Sequence, residues 1–176
     1  MAIGPLTVET PPREEDVQLR KQCPLHNSVR RSTHRDKPRT EGTPMPTFEI
    51  IDPGWSYSQR YTFSPAVRKG NLLFISGLTA TDERGTMVGK GDIVAQTRQI
   101  FEKLKTILAA AGGSVDDIVK TVDYIVTTEG YKGTADVRRE YFRNGFPAAT
   151  GIVVKALLRP DALIEIDAIA VLEDQH

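Results

Sequence analysis

The run LIEIDAIAVL, Leu163 to Leu172, holds two carboxylates, Glu165 and Asp167, in an otherwise apolar segment. Period two puts Ile164, Ile166, Ala168, Ala170 and Leu172 on one strand face, and Leu163, Glu165, Asp167, Ile169 and Val171 on the other. Two readings follow. On a solvated face near a sheet edge, the pair is ordinary surface charge. In a partly dry cleft, desolvation raises a carboxyl's pKa and fits it for proton transfer. What the domain lacks limits the other chemistry. Residues 46–173 contain no histidine and no cysteine. A cysteine nucleophile, a Ser–His–Asp triad and a histidine-ligated zinc site are therefore unavailable there. Carboxylates, hydroxyls, Lys/Arg, backbone N–H groups and water remain. The glycine pairs in GGS (112–114) and GKGD (89–92) lack a phosphate-loop pattern and read as a helix stop and a turn.

The elements that must position those groups are readable from pattern. AVRKGNLLFISG is a hairpin with Gly70-Asn71 at its turn and a buried strand from Leu72 to Ser76. Asp92 is an N-cap for a helix running to Ala111. The apolar positions Ile93, Ile100, Phe101, Leu104, Ile107, Leu108 and Ala111 follow helical spacing, and Gly112-Gly113 ends the run. IVKTVDYIV (118–126) reads as a strand, residues 131–143 as a second helix, and 149–157 and 163–172 as the last strands. The order β-β-α-β-α-β-β predicts an α+β layer, a mixed sheet with both helices on one face.

The 176 residues are 39% apolar and 26% charged, which places the chain among ordinary globular proteins. Lys+Arg and Asp+Glu are equal at 23 each, against a general polyanion binder, which needs excess basic charge to displace counterions. No apolar run approaches the ~18 residues of a membrane span. The N-terminus lacks the basic and apolar regions of a signal peptide, and one cysteine, Cys23, cannot form an intrachain disulfide. A cytoplasmic protein with no nucleic-acid or membrane partner is expected. Composition shifts near residue 45: residues 1–44 hold six of the eleven prolines and almost no periodic apolar pattern. Residues 1–45 are expected to be a disordered or loosely ordered extension, and 46–173 the folded domain. Met45 opens MPTFEIIDPGW, which reads as a chain start, so the preceding residues look like an upstream extension or an added segment.

The ordered set FSPAVRKGNLLFISG, QTRQIFEKLKTILAAAGGSVDDIVKTVDYI, FPAATGIVV and IEIDAIAV resembles the Rid (YjgF) family across nearly all of 60–172. That resemblance implies a chorismate-mutase-like fold, a homotrimer with three inter-subunit clefts, and hydrolysis of small reactive enamines or imines to ketones and ammonia. It implies no cofactor. By the same resemblance, Glu165 matches a water-orienting acid/base, and Ser76 and Gly77 match a Ser-Gly that lines the cleft. Phe63, Ala149, Thr150 and Gly151 fall at further cleft positions, and Ala135 near a position often asparagine. The family's Pro-Ala-Arg reads Pro147-Ala148-Ala149 here. In deaminating members that arginine grips the substrate carboxylate in a fork no alanine can reproduce. Phe63 likewise stands where such members carry tyrosine, and Gly151 where some carry cysteine. Efficient 2-imino acid deamination is therefore not expected unless another cation takes over. Lys155, Arg159 and Arg68 are near in sequence, each with a surface role expected. Three functions stay open: a divergent enamine or imine hydrolase using Glu165, a non-catalytic ligand-binding or regulatory trimer using the same cleft, and, last, an endoribonuclease.

Overall fold

The computed structural model describes residues 47–56 and 60–173, and the extension expected over 1–45 lies outside the described residues. The strands are β1 (Glu49–Ile51), β2 (Ala66–Lys69), β3 (Leu72–Leu78), β4 (Ile118–Ile125), β5 (Ala148–Val153) and β6 (Ile164–Val171). They form one sheet in the order β1-β2-β3-β6-β4-β5. Helices α1 (Ile93–Ala110) and α2 (Thr134–Tyr141) pack beside each other on one of its faces. The α+β fold expected from the pattern is therefore the fold observed.

Local chemistry explains the boundaries. Gly70, at φ 61°, lets β2 and β3 close a two-residue hairpin. The Asp92 carboxylate accepts from the N–H groups of Val94 (2.9 Å) and Ala95 (3.0 Å), capping α1 as expected. At the other end, the Gly112 N–H reaches the Ala109 carbonyl and the Gly113 N–H reaches that of Leu108, satisfying the last turn. All seven apolar positions read from the spacing of α1 are buried, as are Ile164, Ile166, Ala168, Ala170 and Leu172 on β6. Strands β4 and β5 run parallel, joined through α2, while the other neighbours are antiparallel.

Several features differ from the pattern, among them β3, which runs to Leu78 rather than Ser76 and is buried on one face only, with Leu72 and Phe74 exposed. β1 was not expected, because three residues are too few to show an alternation; it pairs with β2 through Ile50↔Val67. The second helix opens with a 3-10 turn over Tyr131–Gly133 before α2 begins. The strand expected over 149–157 ends at Val153, and residues 154–163 form a loop. A fully buried Gln96 on α1 holds that loop: its amide N–H donates to the Asp161 carbonyl (2.8 Å), and its oxygen accepts from the Leu163 N–H (2.7 Å). The face of the sheet away from the helices exposes Leu72, Phe74 and Ile152, and every residue of β5 is exposed.

Candidate active site

A bulge makes room for the site. From Ile75↔Ala168 to Leu78↔Ile166, β3 advances three residues while β6 advances two, so Ser76 and Gly77 bulge opposite β6. The Glu165 side chain lies over the bare Gly77 Cα: a Cβ there would meet Glu165 Oε1 at 2.1 Å. Ser76 is fixed by two bonds, its N–H to the Pro65 carbonyl (3.0 Å) and its hydroxyl to the Ser64 carbonyl (2.7 Å). The hydroxyl proton is thus committed to Ser64 and does not stabilise the Glu165 carboxylate.

Glu165 is half-buried, and desolvation raises its pKa; repulsion from Asp167 adds to the effect and attraction to Lys103 opposes it. Asp167 accepts from the Tyr124 hydroxyl at 3.1 Å, and that bond raises the phenol's pKa. The two carboxylates of β6 therefore occupy different settings, one with a neutral donor and one pressed into a cleft.

Glu165, Gly77, Ser76 and Phe63 line one cavity of about 320 Å³. Its other walls include groups that the strand and motif patterns did not single out. Lys103 of α1 is 7% exposed, donates to the Thr79 carbonyl (2.9 Å) and the Thr81 hydroxyl (2.8 Å), and lies 5.0 Å from the centre of the Trp55 ring. Burial lowers its pKa to about 8, helped by repulsion from Arg159. Arg159 also lines the cavity, which corrects its expected surface role: because β5 stops at Val153, the following loop turns back toward β6. Lys155 is exposed, and Arg68 donates to the Gly70 carbonyl of its own hairpin (2.9 Å). Tyr61 stacks on Phe63 at 4.9 Å and brings a hydroxyl to Arg159. The hydroxyl absent at residue 63 is thus present two residues earlier.

Ala149, Thr150 and Gly151 do not join this cavity within the chain. They sit on β5, separated from β6 by β4. Ala149 lines a second hollow with Ala135, Arg138 and Phe146. Thr150 bonds Lys120, and a Cβ on Gly151 would meet the Tyr131 hydroxyl at 3.2 Å. Beneath them Arg138 pairs with Asp123, which is 2% exposed. The Tyr131 hydroxyl donates to the same carboxylate oxygen at 2.8 Å, and burial together with this bond pushes the phenol up to about 12. Asp123 Oδ1 is buried without a protein hydrogen bond.

Among the described residues, no cluster of His, Cys, Asp and Glu has the arrangement of a metal site, and no helix is long and apolar enough to cross a membrane. Residues 57–172 match the family model described as endoribonuclease L-PSP. A RutC family protein of Pyrococcus horikoshii is 41% identical over 108 residues, 61% of this chain and 85% of the relative. A 3-aminoacrylate deaminase, RutC, of Acinetobacter baylyi is 36% identical over 122 residues, 69% of this chain and 96% of the relative. A solved structure of a Rid family protein from Yersinia pestis superposes with a TM-score of 0.66 at 31% identity, covering 71% of this chain and 99% of that one.

Proposed function

Because the chain belongs to the Rid (YjgF) family, we propose that it hydrolyses a small reactive enamine or imine to a carbonyl compound and ammonia, with Glu165 as general acid and base. The observation that carries this reading is the Glu165 carboxyl itself, held over Gly77 in a cavity and raised in pKa by desolvation and by Asp167. Such a group is partly protonated closer to neutrality than an ordinary carboxyl. It delivers a proton to the enamine carbon, giving the iminium ion. As a carboxylate it then accepts a proton from the water that attacks the iminium carbon. The carbinolamine takes that proton on its nitrogen from Glu165, gives its hydroxyl proton back to the carboxylate and collapses to the carbonyl compound and ammonia. Phe63, Tyr61 and Ser76 line the same cavity as the reacting group.

The cleft in this reading is completed by a second copy of the chain in a homotrimer. Two features support that assembly. Ala149, Thr150 and Gly151 lie on a strand whose residues are all exposed, and Leu158, beside Glu165, is fully exposed. Apolar side chains in those positions gain by being covered.

The test is ammonia release from 3-aminoacrylate, the compound named for the Acinetobacter relative, generated in situ. Glu165→Gln should lower the rate by about 10²–10⁴-fold while leaving fold and ligand binding intact. Asp167→Asn removes only the smaller of the two causes that raise the Glu165 pKa and leaves the main cavity lining unchanged, so it should stay within a few-fold of wild type. A wild type that binds ligand yet releases no ammonia would make the protein a binder. Full activity in Glu165→Gln would remove Glu165 from the mechanism.

A further inference from the structure

Arg159 reaches the Glu165 cavity from the loop between β5 and β6, and no ion pair holds it there among the described residues. One guanidinium nitrogen donates to the Gly85 carbonyl at 3.4 Å and the other to the Tyr61 hydroxyl. Both acceptors are neutral, and no carboxylate forms an ion pair with Arg159 among the described residues. A half-buried guanidinium with only neutral acceptors retains its demand for an anion. Its position is built. The loop is fastened to α1 by the two Gln96 hydrogen bonds on either side of Ala162, and an exposed ion pair at 2.8 Å joins Asp161 to Lys90 in the turn before that helix. Tyr61, which orients the guanidinium, is itself stacked on Phe63. Lys103 lines the same cavity from α1, and the two cations are near enough that Arg159 helps to depress the lysine's pKa. Asp82 and Glu165 offset part of this repulsion at Lys103, and a bound negative group beside Arg159 would relieve more of it.

We propose that Arg159 is the anion anchor of the cavity, holding the carboxylate of a small unsaturated organic acid whose other end lies against Glu165. The proposal shares its cavity with the deaminase reading and gives that reading a substrate class, but it needs binding only, not turnover. The planar guanidinium fork suits a carboxylate, and about 320 Å³ accommodates an acid of a few carbons with apolar contact to Phe63 and Trp55. Held from the β5–β6 loop, the carboxylate approaches Glu165 from the wall of its own chain, independently of residue 149.

Crotonate carries a methyl group where 3-aminoacrylate carries its amine, and crotonamide is its uncharged counterpart. Calorimetric titration of the full-length protein with both compounds separates charge recognition from shape. Wild type should bind crotonate more tightly than crotonamide. Arg159→Gln should weaken crotonate binding by tenfold to about a hundredfold and leave crotonamide unchanged. Arg159→Lys, which keeps the charge without the fork, should fall between. Lys155→Gln, on the same loop but outside the cavity, should bind as wild type. Glu165→Gln should bind crotonate at least as well as wild type, because it removes a like charge. Equal crotonate affinity in wild type and Arg159→Gln, or no saturable binding to wild type, would overturn the assignment. Loss of binding in Arg159→Gln beside full turnover in Glu165→Gln would sustain the anchor and reject the acid/base role.

Discussion

Gly77→Ala tests the geometry on which the chemistry depends. A Cβ at residue 77 would lie 2.1 Å from Glu165 Oε1 and 3.0 Å from its Cδ. Ordinary contact between nonbonded heavy atoms is ~3.5–4.0 Å, so the carboxyl must retreat by roughly 1 Å or more. The obstacle is the far end of a flexible side chain rather than backbone, so rotation relieves it. The cost to the fold is then about 0.5–1.5 kcal/mol, the range of a displaced rotamer. The cost to catalysis is larger, because misplacing a reacting group by about 1 Å reduces turnover ~10²-fold. Moved toward water, the carboxyl loses part of the desolvation that raises its pKa, so the rate should begin to fall at lower pH as Glu165 loses the proton it must deliver. Ammonia release across pH, with urea unfolding in parallel, measures both. Gly70→Ala is the mirror case: at φ 61° with no atom within 4 Å of the added carbon, it should cost stability of ~1 kcal/mol and leave turnover unchanged. A Gly77→Ala enzyme that folds, keeps wild-type turnover and keeps the wild-type pH profile would refute the placement of Glu165 as the reacting group.

Arg138→Met should destabilise the fold by about 3–5 kcal/mol, since it strands the buried Asp123 carboxylate with only the Tyr131 hydroxyl, whereas Asp123→Val with Arg138→Met should recover most of that loss; additive losses in urea unfolding would contradict it. Lys103, with its pKa lowered to about 8, releases its proton in the folded chain before the unfolded chain does. Wild-type stability should therefore rise relative to Lys103→Met as pH climbs from about 8 to about 10, and a flat difference would refute the buried setting. Hydrolysis of 2-iminopropionate, whose carboxylate is attached directly to the imine carbon, should be weak in wild type and rise in Ala149→Arg. No gain in that variant would show that residue 149 does not face Glu165 in the assembly.

The sheet, the capped helix and both faces of β6 were legible because each rests on a repeating pattern or on a turn residue of fixed geometry. Glu165 and Gly77 could be named from sequence, but their contact could not. It depends on a one-residue slip between β3 and β6, and a bulge leaves the alternation on either side of it intact. Other signals lie in the sequence. Gln96 and Lys103 sit three residues after Ile93 and Ile100, on the apolar stripe of α1, where a polar side chain must find buried partners. Asp123 shares a strand face with Thr121 and Ile125 in the same way. Arg159 had no such mark. Its place follows from where β5 stops and from the grip of Gln96 on the returning loop, a contact across 65 positions of chain that no local pattern records.

Strand β5 carries a consequence for how the protein behaves on dilution. All six of its residues are exposed, so it adds backbone pairing with β4 and almost no buried side-chain surface. Its apolar residues begin to contribute only when something covers them. Cover supplied by another copy of the chain joins folding and association into one equilibrium, whose midpoint then moves with the amount of protein in the tube. A tenfold dilution would lower the melting temperature of such an assembly and leave that of a self-sufficient chain where it was, so stability figures for variants on β5 have meaning only at a stated concentration.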